Sequence, residues 1–278
     1  MEPIYSEDAP EPRGWWGFGW NTSQPLSIVE LVAAGNFSVH TAALLWLLIE
    51  ARASIIVAAN PSSAGKTTTL SALSDFLPPT VDRLYLRGWQ ETFAWRATAD
   101  PTRTYLLCNE ISAHLPIYLW GDNVAHLFDA AVAGFGFGAT MHADTAEEVI
   151  GLLGDAPLAI APTALARLDL VLTLAVDYRN RRPRRRLDAL TFFPRDDATN
   201  AQVTLAHWDA GSDRAIDTAT AHIPSLARRV GRTTESFASD HAQRTMFLTA
   251  LLTRGIHTRR DVRRALAAYP DFPTPTGA

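Results

Sequence analysis

The sequence predicts an α/β protein: a mostly parallel sheet flanked by helices, extended by a β-hairpin and followed by a C-terminal helical segment. Three observations carry this. Short β-branched apolar runs alternate with segments of helical periodicity between Ile55 and Val176, the order of strand–helix–strand units that build parallel sheets. Two further runs, Leu168 to Val176 and Arg186 to Phe193, flank a stretch containing Asn180 and Pro183, which reads as a hairpin. Beyond that, apolar residues recur at helical spacing. The expected organisation is an N-terminal tail and edge strand over 1–25, an α/β domain over 26–195 and a mostly helical segment over 196–278.

Taken in order, residues 1–25 are rich in Pro, Gly and Trp, and Trp15, Trp16 and Trp20 are expected to pack against the domain's own flank, with a partner-docking patch as the alternative. Ser27 caps a short helix that ends near Gly35. A second helix, Val39 to Ala51, is apolar nearly all round and must be buried. Ile55 to Ala59 is a buried strand, and Leu70 and Leu73 face inward on the helix after it, which Pro78-Pro79 terminate. Arg83 to Leu86 and Thr104 to Cys108 read as strands, the second running into Glu110. Val124, Leu127, Phe128, Ala131 and Val132 form a helical stripe. Gly134 to Gly138 turn the chain into the strand Ala139 to Met141, which delivers His142. Thr145 and Glu148 then read as a capping box. Towards the C-terminus, Phe237, His241, Leu248 and Leu252 suggest one helix and Val262, Leu266 and Tyr269 another, with loose residues after Pro270.

Composition narrows the function classes. Of 278 residues, 47% are apolar and 19% charged, a mix that affords a sizeable core. The net charge of -4 supplies no global attraction to nucleic acid or anionic lipid. A single cysteine, Cys108, excludes an internal disulfide and a cysteine-based zinc site, and fits a reducing compartment. The apolar run Thr41 to Ala59 carries Glu50 and Arg52, so it divides into helix and strand rather than crossing a membrane. Met1 to Ile4 lacks the basic start of a secretory leader, and none is expected.

The most informative stretch is Asn60-Pro61-Ser62-Ser63-Ala64-Gly65-Lys66-Thr67-Thr68. In the pattern G-x-x-x-x-G-K-[ST], backbone N–H groups and a helix N-terminus face phosphates, while a lysine and a hydroxyl reach the phosphates and Mg²⁺. Asn60 replaces the first glycine, and asparagine is the residue that next best tolerates a left-handed backbone. The strand before and the helix after are the context the motif requires. A nucleotide site is therefore expected here. Glu110 and His142, each at the end of an apolar strand, stand where open α/β sheets place their ligands.

In chain order, the loop around Lys66, Leu106-Leu107-Cys108-Asn109-Glu110-Ile111 and Ala139-Thr140-Met141-His142-Ala143-Asp144 resemble the motor domain of the type II and type IV secretion ATPases. The archaeal-type and tight-adherence branches are the nearest. The resemblance covers roughly residues 15 to 270. It implies a RecA-like P-loop NTPase using ATP and Mg²⁺, with residues 60–68 holding the nucleotide, Lys66 on the β- and γ-phosphates, and Thr67 and Glu110 at the metal. Glu110 would activate water, His142 would report the γ-phosphate, and Glu91 would stand for a second acidic motif. It implies a cytoplasmic homo-oligomeric ring of six subunits, at an inner-membrane platform protein and without nucleic acid. Arg83, Arg87, Arg96 and Arg103 would serve a neighbouring site. The departures are Asn60, Asn109, Ser112, and Glu91 as sole acid of its motif. They leave open a degenerate nucleotide-binding subunit, and a nucleic-acid translocase as a third class. The basic run Arg179 to Arg186 lacks interleaved aromatics and reads as a solvated hairpin tip.

Overall fold

The computed structural model describes Trp15 and residues 25–61, 63–178, 183–195 and 202–269. Nine helices and eight strands are defined among them: α1 (Ile28–Ala33), α2 (Val39–Glu50), β1 (Ile55–Ala58), α3 (Lys66–Ser74), β2 (Asp82–Tyr85), β3 (Thr104–Leu107), α4 (Asp122–Val132), β4 (Gly136–Met141), α5 (Ala146–Gly154), α6 (Pro162–Leu165), β5 (Leu170–Asp177), β6 (Arg184–Phe192), β7 (Val203–Asp209), β8 (Arg214–Asp217), α7 (Ile223–Arg229), α8 (Thr234–Thr253) and α9 (Arg259–Ala267).

All eight strands form one sheet, ordered β2-β3-β4-β1-β5-β6-β7-β8. The first five are parallel, and the last three continue the sheet antiparallel. β1, the innermost parallel strand, pairs with β4 and β5 and is buried along its length. Its side chains alternate between two cores: Ile55 and Val57 face one, Ile56 and Ala58 the other. On the first side lie α2, α3 and α8. On the second, Val124, Leu127 and Phe128 of α4 and Val149 and Leu153 of α5 share a core with Leu106 of β3 and Phe137 and Ala139 of β4.

The buried helix α2 is the hub of the first core. Trp46 stacks on Phe76 at 5.4 Å with rings 4° from parallel, and contacts Phe247 and Tyr269. Arg244 of α8 lies 4.5 Å from the Trp46 ring centroid and donates to Glu50 at 2.5 Å, so its charge enters the core already paired. At the far end of α3, Arg259 of α9 donates to Asp75 at 2.6 and 2.9 Å and to the Ser71 carbonyl at 3.0 Å. The C-terminal helices thereby hold the tail of the helix whose head carries Lys66.

Several expectations need correction. The helices expected over 196–278 are preceded by two strands the sequence reading does not contain, β7 and β8. The turn of Ala210 to Asp213 and the inward Leu205 and Ala206 are local signs of that hairpin, but β8 is exposed along its length and has no apolar pattern. β4 starts at Gly136, inside the expected glycine turn. A Cβ on Gly136 would stand 2.2 Å from the Arg52 carbonyl oxygen and one on Gly138 2.6 Å from Leu70 Cδ1, so these glycines serve close packing. Val132 is 47% exposed and leaves the α4 stripe at the helix end. Before α5, Thr145 Oγ1 accepts from Glu148 N at 3.1 Å, while Glu148 reaches the Asp144 N–H instead of closing the box on Thr145. The expected N-terminal strand lies outside the described residues.

Candidate functional site

Parallel strands bring their C-terminal ends to one edge, and the register decides which ends are adjacent. Ala58 pairs with Met141 and Leu107 with Gly138, so the segments leaving β1, β3 and β4 emerge side by side. Ile111 N donates to Thr140 O at 2.8 Å and Thr140 Oγ1 to Asn109 O at 2.7 Å, fastening the Glu110 segment to the His142 segment. The loop between β1 and α3 closes over this edge. Gly65 caps α3 at φ +95°, a conformation glycine adopts without a Cβ penalty, and helix begins at Lys66. Ala64 is buried and donates to Pro61 O at 3.2 Å. Ser62 lies outside the described residues.

Asn60 behaves otherwise than its sequence position suggests. It is absent from the residues with positive φ, so no left-handed backbone is required of it. Its amide instead donates to Asp144 at 2.5 Å, and its carbonyl lies 3.0 Å from His142 Nδ1. Asparagine here ties the loop to the end of β4.

Lys66, Glu110 and His142 converge. Lys66 Nζ donates to Ala59 O at 3.1 Å and lies 3.2 Å from His142 Nε2 and 3.9 Å from Glu110 Oε2. His142 Nε2 is 3.5 Å from Glu110 Oε1. The Asn60 carbonyl places the proton on Nδ1, leaving Nε2 towards the ammonium, a tautomer assigned from hydrogen-bond partners. Burial holds the Lys66 pKa below the ordinary lysine value and the Glu110 carboxylate acts against that shift. The buried ammonium is thus short of counter-charge. A cavity of about 530 Å³ opens above it, lined also by Thr67, Thr68 and Tyr118. Its donors suit a nucleotide phosphate, and the Thr67 hydroxyl with the Glu110 carboxylate is a hard-oxygen pair of the kind Mg²⁺ takes while keeping waters. No group of three or more His, Cys, Asp or Glu side chains among the described residues could hold a metal by itself.

No protein-family model matches the chain. It is 24% identical over 236 residues to the uncharacterized protein MJ0900 of Methanocaldococcus jannaschii, covering 77% of this chain and 42% of that one. It is 30% identical over 175 residues to the uncharacterized protein MJ1287 of the same organism, covering 56% of this chain and 64% of that one. The chain therefore spans less than two thirds of either relative. Among solved structures, the VirB11 ATPase from the Brucella suis type IV secretion system, crystallised with sulphate, matches over 70% of this chain and 67% of its own at 16% identity and a TM-score of 0.40.

Glu91 is not brought to this cavity. Its carboxylate accepts from the N–H groups of Arg87, Thr92 and Phe93 and from Trp95 Nε1, organising its own loop beside a separate cleft of about 860 Å³. Arg83, Arg87 and Arg103 line that second cleft and Arg96 is exposed; none lines the Lys66 cavity. The basic run also reads differently in three dimensions. Arg184 to Arg186 belong to strand β6 rather than to a solvated tip, and Arg185 Nε donates to Ser63 O of the loop at 2.8 Å. Arg179 to Arg182 lie outside the described residues. No local pattern in the sequence marks Arg185, because its place depends on the pairing of β6 with β5 beside β1.

Proposed function

We propose that the chain is a Mg²⁺-dependent ATPase, a motor subunit that couples ATP hydrolysis to assembly of a type IV pilus or type II secretion-like machine, or to protein export. One observation supports this above all others: Lys66, Glu110 and His142, drawn from three separate strand–loop connections, meet in a single cavity over the phosphate loop. Phosphoryl transfer asks a protein mainly to position groups and neutralise charge, and these side chains are of the right kinds.

In this reading the loop N–H groups and the Lys66 ammonium bind and orient the β- and γ-phosphates. Thr67 and Glu110 would hold Mg²⁺, which when bound neutralises developing charge on the phosphates. Glu110, buried apart from its face on the cavity, orients the attacking water and takes its proton. His142, held by the Asn60 carbonyl and facing both Lys66 and Glu110, relays the state of the site to the β4 edge. Residues 26–195 carry the site and 196–278 brace it. Subunits act as a homo-oligomeric ring, a hexamer, in the cytoplasm at the inner face of the membrane beside a platform protein, without nucleic acid. No helix among the described residues is long and apolar enough to cross a membrane.

A second reading, a slowly hydrolysing member of a mixed ring, draws support from Glu91 facing away from the site and from the buried Asn109 before Glu110. Multiple-turnover phosphate release by the pure protein separates the two. Sustained release that Lys66→Ala abolishes supports the motor. A single turnover that only a partner ATPase makes continuous supports the second reading. Light scattering with Mg-ATP is expected to show a ring, and a monomer under every condition would contradict the assembly.

A further inference from the structure

We propose that Arg185 is a phosphate ligand of this nucleotide site, supplied by the chain's own strand β6. The inference rests on the nucleotide reading above and adds a residue to it. A triphosphate carries more negative charge than Lys66 can balance, and Glu110 already draws on that ammonium at 3.9 Å. The arginines between the loop and Glu110 do not line the cavity. Arg184 and Arg185 do, together with Lys66, Glu110 and His142.

Its geometry is that of a side chain laid against the loop. Its Nε donates to Ser63 O at 2.8 Å, and its Cδ stands 3.3 Å from where a Cβ on Gly65 would be. What sets the neighbouring arginines apart is that carboxylates hold them. Arg184 donates to Asp177 at 2.7 Å and to Asp213 at 2.5 Å, and Arg186 Nε donates to Asp213 at 2.9 Å. Arg185, by contrast, pairs with a neutral carbonyl and with no carboxylate among the described residues. The two anchored arginines fix the strand while the third keeps an uncompensated guanidinium at the mouth of an anion site. Guanidinium matches phosphate oxygens in a planar fork, so a rotation of the side chain away from Ser63 O exchanges a neutral acceptor for a charged one.

The test separates charge on the phosphate from simple tethering of the loop. Arg185→Gln keeps an N–H donor for the Ser63 carbonyl but removes the charge, whereas Arg185→Lys keeps the charge. Mg-ATP affinity is measured by equilibrium titration at low and high salt, with thermal midpoints confirming that each variant is folded. Arg185→Gln is expected to weaken binding about ten- to a hundredfold and to flatten its salt dependence, with Arg185→Lys retaining the larger part of the affinity. Wild-type affinity in Arg185→Gln, or equal losses in both variants, overturns the assignment while leaving the nucleotide reading standing. A wild-type protein that does not bind Mg-ATP overturns both.

Discussion

Replacing Glu110 by glutamine is expected to separate nucleotide binding from turnover in the proposed site. The Glu110 carboxylate lies 3.9 Å from the Lys66 ammonium. At the effective dielectric of about 20 that suits such pairs, this is about 4 kcal/mol of gross attraction. Incoming phosphates must compete with that carboxylate for the ammonium, and its negative charge also opposes theirs. Glutamine removes the charge but leaves an amide oxygen for the ammonium, and the Ala59 carbonyl at 3.1 Å is untouched. About a third of the gross term, near 1.4 kcal/mol, is therefore expected to appear as tighter binding of metal-free ATP, roughly a tenfold lower Kd measured without Mg²⁺, where Glu110 has no metal to hold. Turnover is expected to fall about a hundred- to ten-thousandfold as the proton acceptor is lost. Equilibrium titration with single- and multiple-turnover phosphate release measures both quantities on one preparation. Unchanged turnover would remove Glu110 from the chemistry, and weaker binding would mean that its charge helps rather than competes.

Three further outcomes follow from the packing around the site. Because burial holds Lys66 below the ordinary lysine value of 10.5, and the ammonium is the form that binds phosphate, Mg-ATP affinity should fall with rising pH before an exposed lysine would deprotonate. Lys66→Arg should bind with no such limb, and the same limb in that variant would assign it elsewhere. Gly138→Val should cost about 1–3 kcal/mol of stability, because its Cβ would sit 2.6 Å from Leu70 Cδ1 on the helix that carries Lys66; denaturant titration of Gly138→Val with Leu70→Ala should recover part of it, and additive losses would refute the contact. His241 is held below the ordinary histidine value, first by burial and then by His40, while the His40 carbonyl and Asp217 act against that shift. Its contribution to stability is present in full above the unfolded-state value of 6.5 and is lost as pH falls from there through the lower folded-state value, so stability at pH 5 should lie below that at pH 7.5 by less in His241→Gln than in the wild type.

The chain's local signals carried the fold a long way. Alternating apolar strands and periodic helices marked β1 to β6 and all the long helices, because burial on one or two faces writes a period into consecutive residues. The loop that leads into α3 was legible for a similar reason. Its glycine, lysine and threonine act from adjacent positions, so their spacing is visible along the chain. Glu110 and His142 could be picked out as polar residues ending apolar strands, but that they meet Lys66 was decided by the register of β3, β4 and β1. The same applies more strongly to the misread residues. Asn60 earns its place through a side chain that reaches Asp144, eighty-four positions along the chain, not through its own backbone angle. Glu91 caps its own loop, which residue type alone does not distinguish from a catalytic carboxylate. Arg185 sat within a run of arginines whose composition suggested a solvated tip, and strand pairing turned alternate members to opposite fates, two into ion pairs with carboxylates and one onto the phosphate loop. The sequence alone determined the elements from α1 to β6 and which residue types are at hand. Tertiary structure alone decided which of them share a cavity, because that depends on contacts between residues far apart in the chain, which no local period records.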